Sequence, residues 1–425
     1  MTLLIFLAVL IAAIMFGVPI AWSLIICGIA LMLHLDFFNA QVIAQNIILG
    51  TDNFILLAIP FFILAGELMN RGGLSLRIIQ AAMAGFGHVR GGLGYVAICA
   101  SLIMASLSGS AIADSAALAA ILLPMMRMGG YPEGSSGGLL AAGGVIAPII
   151  PPSIALVVFG AIANISISGL FFAAILPGIM MAISLIVTWR FVSRNGQFEQ
   201  LEKKPRAEVL TAVRKALPAL VLPVIVIGGL RVGVFTPTEA AVIAVVYATL
   251  VGAFIYRELT LQSFYQALID AGRTSAVVMF LIGTSMVSAW LITIANLPAQ
   301  IITTLTPFMD TPQLLVLVIV VLTLLLGMVL DFTPLMLILM PIMIPLCKAA
   351  NIDMTYFGVV FTMAGALGML TPPVGNVLNV VAGVGRVRLD KIIVGVMPFL
   401  LAEIAVLLLL VAFPAIVTVP MSLFQ

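Results

Sequence analysis

Residues 104–126 read MASLSGSAIADSAALAAILLPMM: four serines, a glycine and the carboxylate of Asp114 inside an otherwise apolar run. If that run lies in hydrocarbon, each hydroxyl and the carboxylate must find an internal partner or cost several kcal/mol. Non-helical backbone at membrane depth is tolerated only where it is buried in protein or lines a cavity. The stretch therefore reads as a re-entrant helical hairpin over about 92–128, with the serine–glycine cluster at its tip. A second interrupted run, LLLGMVLDFTPLMLILMPIMIPL at 324–346, gives a second hairpin over about 313–348.

The rest of the chain supports a membrane setting. Of 425 residues, 63% are hydrophobic and 8% charged, against about 25% charged in a soluble domain. Apolar stretches long enough to cross about 30 Å of hydrocarbon recur throughout. The longest polar segment, residues 190–215, is loop-sized. It leaves no room for an ATPase domain, and GxxxxGK[ST] is absent, so no work driven by ATP on this chain is expected. Neither composition nor motif points to nucleic acid. The three cysteines, Cys27, Cys99 and Cys347, read as small core residues, and neither His34 nor His88 has a second ligand at metal spacing. The first thirty or so residues form a retained anchor, interrupted at Gly17-Val18-Pro19, as one kinked span or two short ones.

Spans are expected near 53–70, 135–163, 170–193, 216–231, 238–256, 276–296, 355–386 and 392–415. With residues 71–91 cytoplasmic, sixteen of the eighteen basic residues fall on that side, leaving Arg231 and Lys348 outside. The positive-inside rule therefore sets the orientation. Residues 190–215 are cytoplasmic, the C-terminus is periplasmic, and the two hairpins dip from opposite faces.

That opposition is the mark of an inverted repeat. Asp114 precedes Pro124 by ten residues, as Asp331 precedes Pro341. Each hairpin is followed by a broken helix carrying a double proline, Pro151-Pro152 and Pro372-Pro373, and aligning the pairs sets Gly144 on Gly365 and Ala147 on Gly368. The fold class is thus an all-α polytopic membrane protein. It comprises an anchor (1–52), a first repeat (53–193, broken helix 135–163), a basic loop with linking scaffold helices (194–275) and a second repeat (276–425, broken helix 355–386). Paired broken helices point to a transporter's binding site: freed carbonyls suit a small cation, and helix N-termini suit an anion.

Five carboxylates fall within or beside apolar spans. Glu67 is one turn from Arg71 and suits pairing with it. Glu239 follows Thr236 at a helix start and suits capping. Glu403 is read as snorkelling or pairing within the bundle. Asp114 and Asp331 take equivalent places past the two tips, able to cap the returning helix or neutralise cations. No HExxH motif is present, and no histidine can be set at depth beside the serines, which argues against an enzyme.

The ordered motifs IPFFILAGELM, SLSGSAIADSAALAAILLPMMRMGGYP, IAPIIPPSIALVVFGAIANISI, GMVLDFTPLMLILMPIMIPL and MLTPPVGNVLNVVAGV resemble the large membrane subunit of tripartite ATP-independent periplasmic (TRAP) transporters, the DctM/SiaM type. The resemblance covers essentially the whole chain. It implies an elevator-type, Na⁺-driven importer of organic acids in the bacterial inner membrane, within the ion transporter superfamily, with a transport domain moving against a scaffold. It also implies a small four-helix membrane subunit and a periplasmic substrate-binding protein as partners. Carried over by position, one Na⁺ site lies among Ser106, Ser108, Gly109, Ser110, Asp114, Gly144, Ala147 and Pro148. Its mate lies among Gly327, Asp331, Gly365, Gly368, Met369 and Thr371, so two Na⁺ or more act as coupling ions. Substrate is expected near Ser110, Ser153, Thr333, Pro373, Asn376 and Asn379, with sialic acid favoured over C4-dicarboxylates and other acids. The nearest alternative is a carrier of the same superfamily that works without a binding protein.

Overall fold

The computed structural model describes residues 2–194, 196, 198, 201–295 and 311–422, and their regular elements are all helices. The expected loop residues 195, 197, 199 and 200, the second-repeat residues 296–310 and the C-terminal residues 423–425 lie outside the described residues. Among the described residues, eight helices are long and apolar enough to cross a membrane.

The N-terminal anchor is two helices, α1 (Thr2–Met15) and α2 (Ile20–His34), packed on each other. Gly17, at φ +77°, and Pro19, which precedes the first residue of α2, make the break. Next comes α3 (Ala40–Thr51), which the hydropathy reading did not separate; the Asn39 side chain accepts from the Gln41 and Val42 amides at its start. α4 (Ala58–Arg71) is the span expected at 53–70, and α5 (Leu74–Phe86) forms where a loop was expected. One face of α5 is apolar and buried, with Leu74, Ile78, Ile79 and Ala82 at helical spacing. It packs against α11 (Arg206–Arg231).

The first hairpin is α6 (Gly92–Ser108) and α7 (Ala111–Met128); the first broken helix is α8 (Glu133–Gly144) and α9 (Ile154–Ala163). After α10 (Ile167–Val192), two spans begin earlier than hydropathy placed them. α11 starts ten residues before the expected 216, and α13 (Leu261–Ile294) starts fifteen before the expected 276, with α12 (Pro237–Leu250) between them. The polar and charged early turns of α11 and α13 look like loop in a hydropathy window, yet a helix satisfies its own backbone whether or not its ends leave the bilayer. The second hairpin is α14 (Pro312–Gly327) and α15 (Phe332–Ala349), and the second broken helix is α16 (Met354–Gly368) and α17 (Asn376–Gly385). α18 (Leu389–Ala412) and the short α19 (Ala415–Ser422) close the chain.

The two broken helices are interlocked with the two hairpins. α9 packs on α15 and α16, while α17 packs on α7 and α8. Small residues allow backbones to touch: a Cβ on Gly138 would lie 2.6 Å from the Gly395 carbonyl carbon, and one on Gly134 would lie 2.4 Å from the Lys391 oxygen. This Gly-x-x-x-Gly face seats α8 on α18 by close van der Waals packing, the force available between helices in lipid. Residues 134–138, GSSGG, also fit the GxSxG spacing of a serine nucleophile. Ser136, however, lies buried inside α8 rather than on a strand-to-helix turn, so the glycines there serve packing.

Glu403 departs from its expectation. It neither snorkels nor pairs: it is fully buried in α18, and neither carboxylate oxygen has a hydrogen-bond partner among the described residues. Glu67 lies 3.6 Å from Arg71, which also meets Asp270 of α13 at 2.5 Å. Glu239 closes a capping box with Thr236.

Candidate functional site

The tips and breaks of both halves meet around one cavity of ≈ 360 Å³. Its wall includes Ser108, Gly109 and Ser110 from the first tip, Pro148 from the first break, Asp331 and Thr333 from the second tip, and Met369 from the second break.

At the first tip, α6 ends at Gly109, whose φ of +63° puts it in the left-handed region open to glycine. A Cβ there would lie 3.0 Å from the Pro152 oxygen and 3.2 Å from the Ile154 nitrogen, so the tip rests on the backbone of the first break. Ser110 caps α7 by accepting from the Ala113 amide at 3.4 Å. Ser108 donates to Asp114 Oδ1 at 2.5 Å and accepts from the Ser110 amide at 3.2 Å. Asp114 is 1% exposed, and its Oδ2 has no hydrogen-bond partner among the described residues; neither has the buried Ser115 hydroxyl. Ser115 lies against Gly144 at the end of α8, where a Cβ would overlap its Oγ.

At the second tip, the residues between α14 and α15 are 328–331. Asp331 caps α15, its Oδ1 accepting from the Phe332 amide at 2.8 Å. Gly327 and Gly368 touch backbone to backbone, with a Cβ on either falling within 2.9 Å of the other's Cα. The Gly375 amide donates to the Met328 oxygen at 3.2 Å, tying break to tip. The Phe332 ring lies against Gly365, where a Cβ would overlap it.

Counting from the helix starts corrects the pairing of Asp114 with Asp331. Ser110 and Asp331 hold the same capping position, so Asp114 in α7 corresponds to Leu335 in α15, and Pro124 to Pro345 rather than Pro341. Equal Asp-to-Pro spacing in the two halves concealed a shift of one helical turn.

The remaining expected residues divide by position. Asp114, Gly144, Ala147, Gly365 and Gly368 are buried behind the cavity wall. Ser106 donates to the Ile103 oxygen at 2.6 Å, and Thr371 donates to the Leu367 oxygen at 2.7 Å. Ser153 is fully buried, donating to the Pro148 oxygen at 2.5 Å and capping α9 through the Leu156 amide. Pro373, Asn376 and Asn379 do not line the cavity; Asn379 donates to the Val374 oxygen at 2.8 Å.

The opposite wall was not foreseen. Gly66, Glu67 and Asn70 of α4, with Thr274 and Val278 of α13, complete the cavity. A Cβ on Gly66 would lie 3.4 Å from the Ser108 Cα, so α4 runs directly over the first tip. The signal was available in the spacing: positions 66, 67 and 70 share a helical face, and so do 274 and 278.

Two electrostatic facts define what the cavity can bind. The first residues of α7 (Ala111 to Ala113), α9 (Ile154, Ala155) and α15 (Phe332, Thr333) all line it, so three helix N-termini converge on one space. Their amide dipoles favour an anion there. Yet no lysine or arginine lines the cavity, while Glu67 and Asp331 do. An acid entering alone would meet Asp331 and the Arg71-paired Glu67, with no basic side chain among the described lining residues.

Comparison with known proteins assigns the chain. A large permease protein of a TRAP transporter from Haemophilus influenzae is 50% identical over the whole of both chains. The 2,3-diketo-L-gulonate TRAP transporter large permease YiaN of Escherichia coli is 49% identical over 99% of each. The sialic acid TRAP transporter large permease SiaM of Vibrio cholerae is 38% identical over 94% of this chain and 93% of that one. Among solved structures, the YdaH transporter of Alcanivorax borkumensis superposes with a TM-score of 0.63 over 87% of this chain and 86% of that one, at 14% identity, a likeness of fold. Residues 7–416 match the family described as "Tripartite ATP-independent periplasmic transporter, DctM component". The chain belongs to that family: it is a multi-pass large permease component of a TRAP transporter, and not an enzyme.

Proposed function

We propose that this permease imports an organic acid by Na⁺ symport across the bacterial inner membrane. It would take substrate from a periplasmic binding protein and be braced by a small four-helix membrane subunit. The supporting observation is the cavity that joins three helix N-termini to a lining with two carboxylates and no basic side chain among the described residues. Cations bound beside the tips turn such a space from indifferent to attractive for a carboxylate, which makes ion binding a condition of substrate binding. At the first tip, the unpartnered Asp114 Oδ2 and Ser115 Oγ, with the end of α8 at Gly144, suit a hard cation that takes oxygen ligands. At the second, Asp331 with the backbone of Gly327, Gly368 and Met369 would hold another.

Ser110, Thr333 and Asn70 offer neutral hydrogen-bonding groups on three sides of the cavity. That set suits a hydroxylated carboxylate. The E. coli relative at 49% identity is named for 2,3-diketo-L-gulonate and the V. cholerae relative at 38% for sialic acid. A sugar acid of the first kind is therefore the substrate class we favour, in place of sialic acid.

The mechanism proposed is an elevator. The two hairpin-plus-broken-helix units, inverted relative to each other, travel together, while α4, α11, α12 and α13 stand as scaffold. The C-terminus is periplasmic and residues 190–215 are cytoplasmic, in line with the basic-residue bias. The membrane potential contributes about 2.3 kcal/mol per net charge per 100 mV. The test is reconstitution with both partners and an inward Na⁺ gradient. Uptake of labelled 2,3-diketogulonate should exceed that of sialic acid and succinate, and should fall to background when K⁺ replaces Na⁺. Equal uptake in K⁺ would sink the coupling, and uptake of free substrate without the binding protein would make the permease an independent carrier.

A further inference from the structure

A second cavity, of ≈ 680 Å³, lies at the membrane edge where α6 begins and α10 ends, away from the transport site. It is lined by Arg90, Tyr95, Arg190, Phe191, Ser193 and Arg194. Three guanidinium groups thus share one space with no carboxylate among its described lining residues. Among the described residues none of the three forms an ion pair; Arg90 donates to the Gly196 oxygen at 3.2 Å, which leaves the other donors of its fork available. Planar, always-charged guanidinium groups match phosphate oxygens in geometry.

The surroundings say where such a phosphate comes from. On α10, Ile179, Ile183, Ile186 and Val187 are 39–52% exposed and fall on the helical face that leads to Arg190, with Arg194 just past the helix end. Phe191, 69% exposed, flanks the arginines. Tyr95, in the lining itself, is of the aromatic kind that collects at a membrane surface. An apolar track that runs up the helix and ends in a cationic cup has the shape of one molecule: acyl chains below, phosphate above. A free phosphate would use the cup and leave the track unused.

We propose that Arg90, Arg190 and Arg194 form a headgroup site for an anionic phospholipid, whose acyl chain lies along Ile179, Ile183 and Val187 of α10. Basic pockets between membrane helices hold anionic headgroups in this way. The site ties a lipid to the foot of the first hairpin through α6, and it is independent of the transport reading above.

Native mass spectrometry of the delipidated full-length chain, titrated with dioleoylphosphatidylglycerol or dioleoylphosphatidylcholine, tests the proposal. The expected result is a preference for phosphatidylglycerol of tenfold or more. It should weaken roughly five-fold for each arginine removed, so that Arg190→Gln with Arg194→Gln abolishes it. A charge-matched control, Arg206→Gln with Lys215→Gln, should keep it. Inorganic phosphate at the same concentration should leave the lipid bound. Equal retention of the two lipids, an unchanged preference in the double variant or an equal loss in the control would overturn the site. Displacement of the lipid by phosphate would assign the pocket to a free anion, and overturn it too. Should the double variant fail to fold, each single variant is read the same way.

Discussion

The two hairpin tips have the same architecture and are held by different chemistry. At the first, side chains do the joining: Ser108 bonds Asp114, Ser110 caps α7, and a buried carboxylate oxygen has no hydrogen-bond partner among the described residues. At the second, backbone does it: Gly327 meets Gly368, the Gly375 amide reaches Met328, and Asp331 is spent on capping its own helix. Of the two tips, the first concentrates charge and the second close packing. Two cation sites built on these tips would therefore differ in how far each depends on a side-chain carboxylate.

The largest effect should come from removing that carboxylate. Asp114→Asn keeps the shape and the Ser108 contact but takes away the negative charge, and a buried charge separated from its partner is worth about 3–5 kcal/mol. The Na⁺ concentration for half-maximal uptake should rise about 100-fold or more. Asp331→Asn, which can still cap α15, should raise it less than about tenfold. Counterflow measured over a Na⁺ series in proteoliposomes gives both numbers. Equal effects would mean that the difference between the tips is one of packing alone.

Packing is the next place to press. Gly327→Ala would drive a methyl to within 2.9 Å of the Gly368 Cα, where only backbone can yield. Overpacking of this kind costs about 1–3 kcal/mol. Gly109→Ala meets the Pro152 oxygen at 3.0 Å and must also adopt a φ of +63°, a cost of about 1–2 kcal/mol from the backbone alone. Both variants should melt lower in detergent than the parent. Both should also disturb Na⁺ dependence, Gly109→Ala the more strongly, since its tip carries the side-chain network.

Glu403 stands outside both tips and sharpens the comparison from a third side. An unpaired carboxyl buried in α18 opposes folding, so Glu403→Leu, of similar volume and apolar, should stabilise the fold by about 1 kcal/mol or more. Thermal unfolding checks the sign. If uptake is retained, the charges that matter for transport lie at the tips and not in α18. If uptake is lost while the melting temperature rises, Glu403 belongs to the transport cycle.

How much of this was legible in the chain follows from what hydropathy measures. Both hairpins and both broken helices were readable, because a polar or Gly/Pro interruption inside an apolar run can mean little else at membrane depth. α7 ends at Met128, where the interruption pattern put it, and α15 ends at Ala349, one residue past the expected 348. The early turns of α11 and α13 were not readable, since Arg206, Arg214, Asp270 and Arg273 look like loop until their partners are known. Asp270 lies inside α13 and pairs with Arg71, far off in sequence. For the same reason the α13 wall of the cavity, Thr274 and Val278, escaped notice. Glu403 was misread because a lone carboxylate in an apolar helix is usually near a surface, and burial is a property of the neighbours.

The shift of one helical turn between the halves gives the smallest test and the most direct one. If Ser110 and Asp331 are the equivalent pair, each should contribute a cap and little else to stability. Ser110→Ala and Asp331→Ala should each cost about 1 kcal/mol, the usual worth of an N-cap oxygen. Asp331→Asn and Ser110→Thr should cost only a fraction of that, because both replacements can still accept from a first-turn amide. Asp114→Ala, in contrast, should follow a different rule, since Asp114 lies inside α7 and caps nothing: its loss should appear in Na⁺ dependence while the helix start stays intact. Melting temperatures and Na⁺ titrations on the same five variants separate the two registers. If Asp331→Ala resembles Asp114→Ala in both measurements, the ten-residue Asp-to-Pro spacing describes the repeat better than the helix starts do. If it resembles Ser110→Ala, the two halves are aligned by their caps, and the carboxylate at 114 is an addition made to the first half alone.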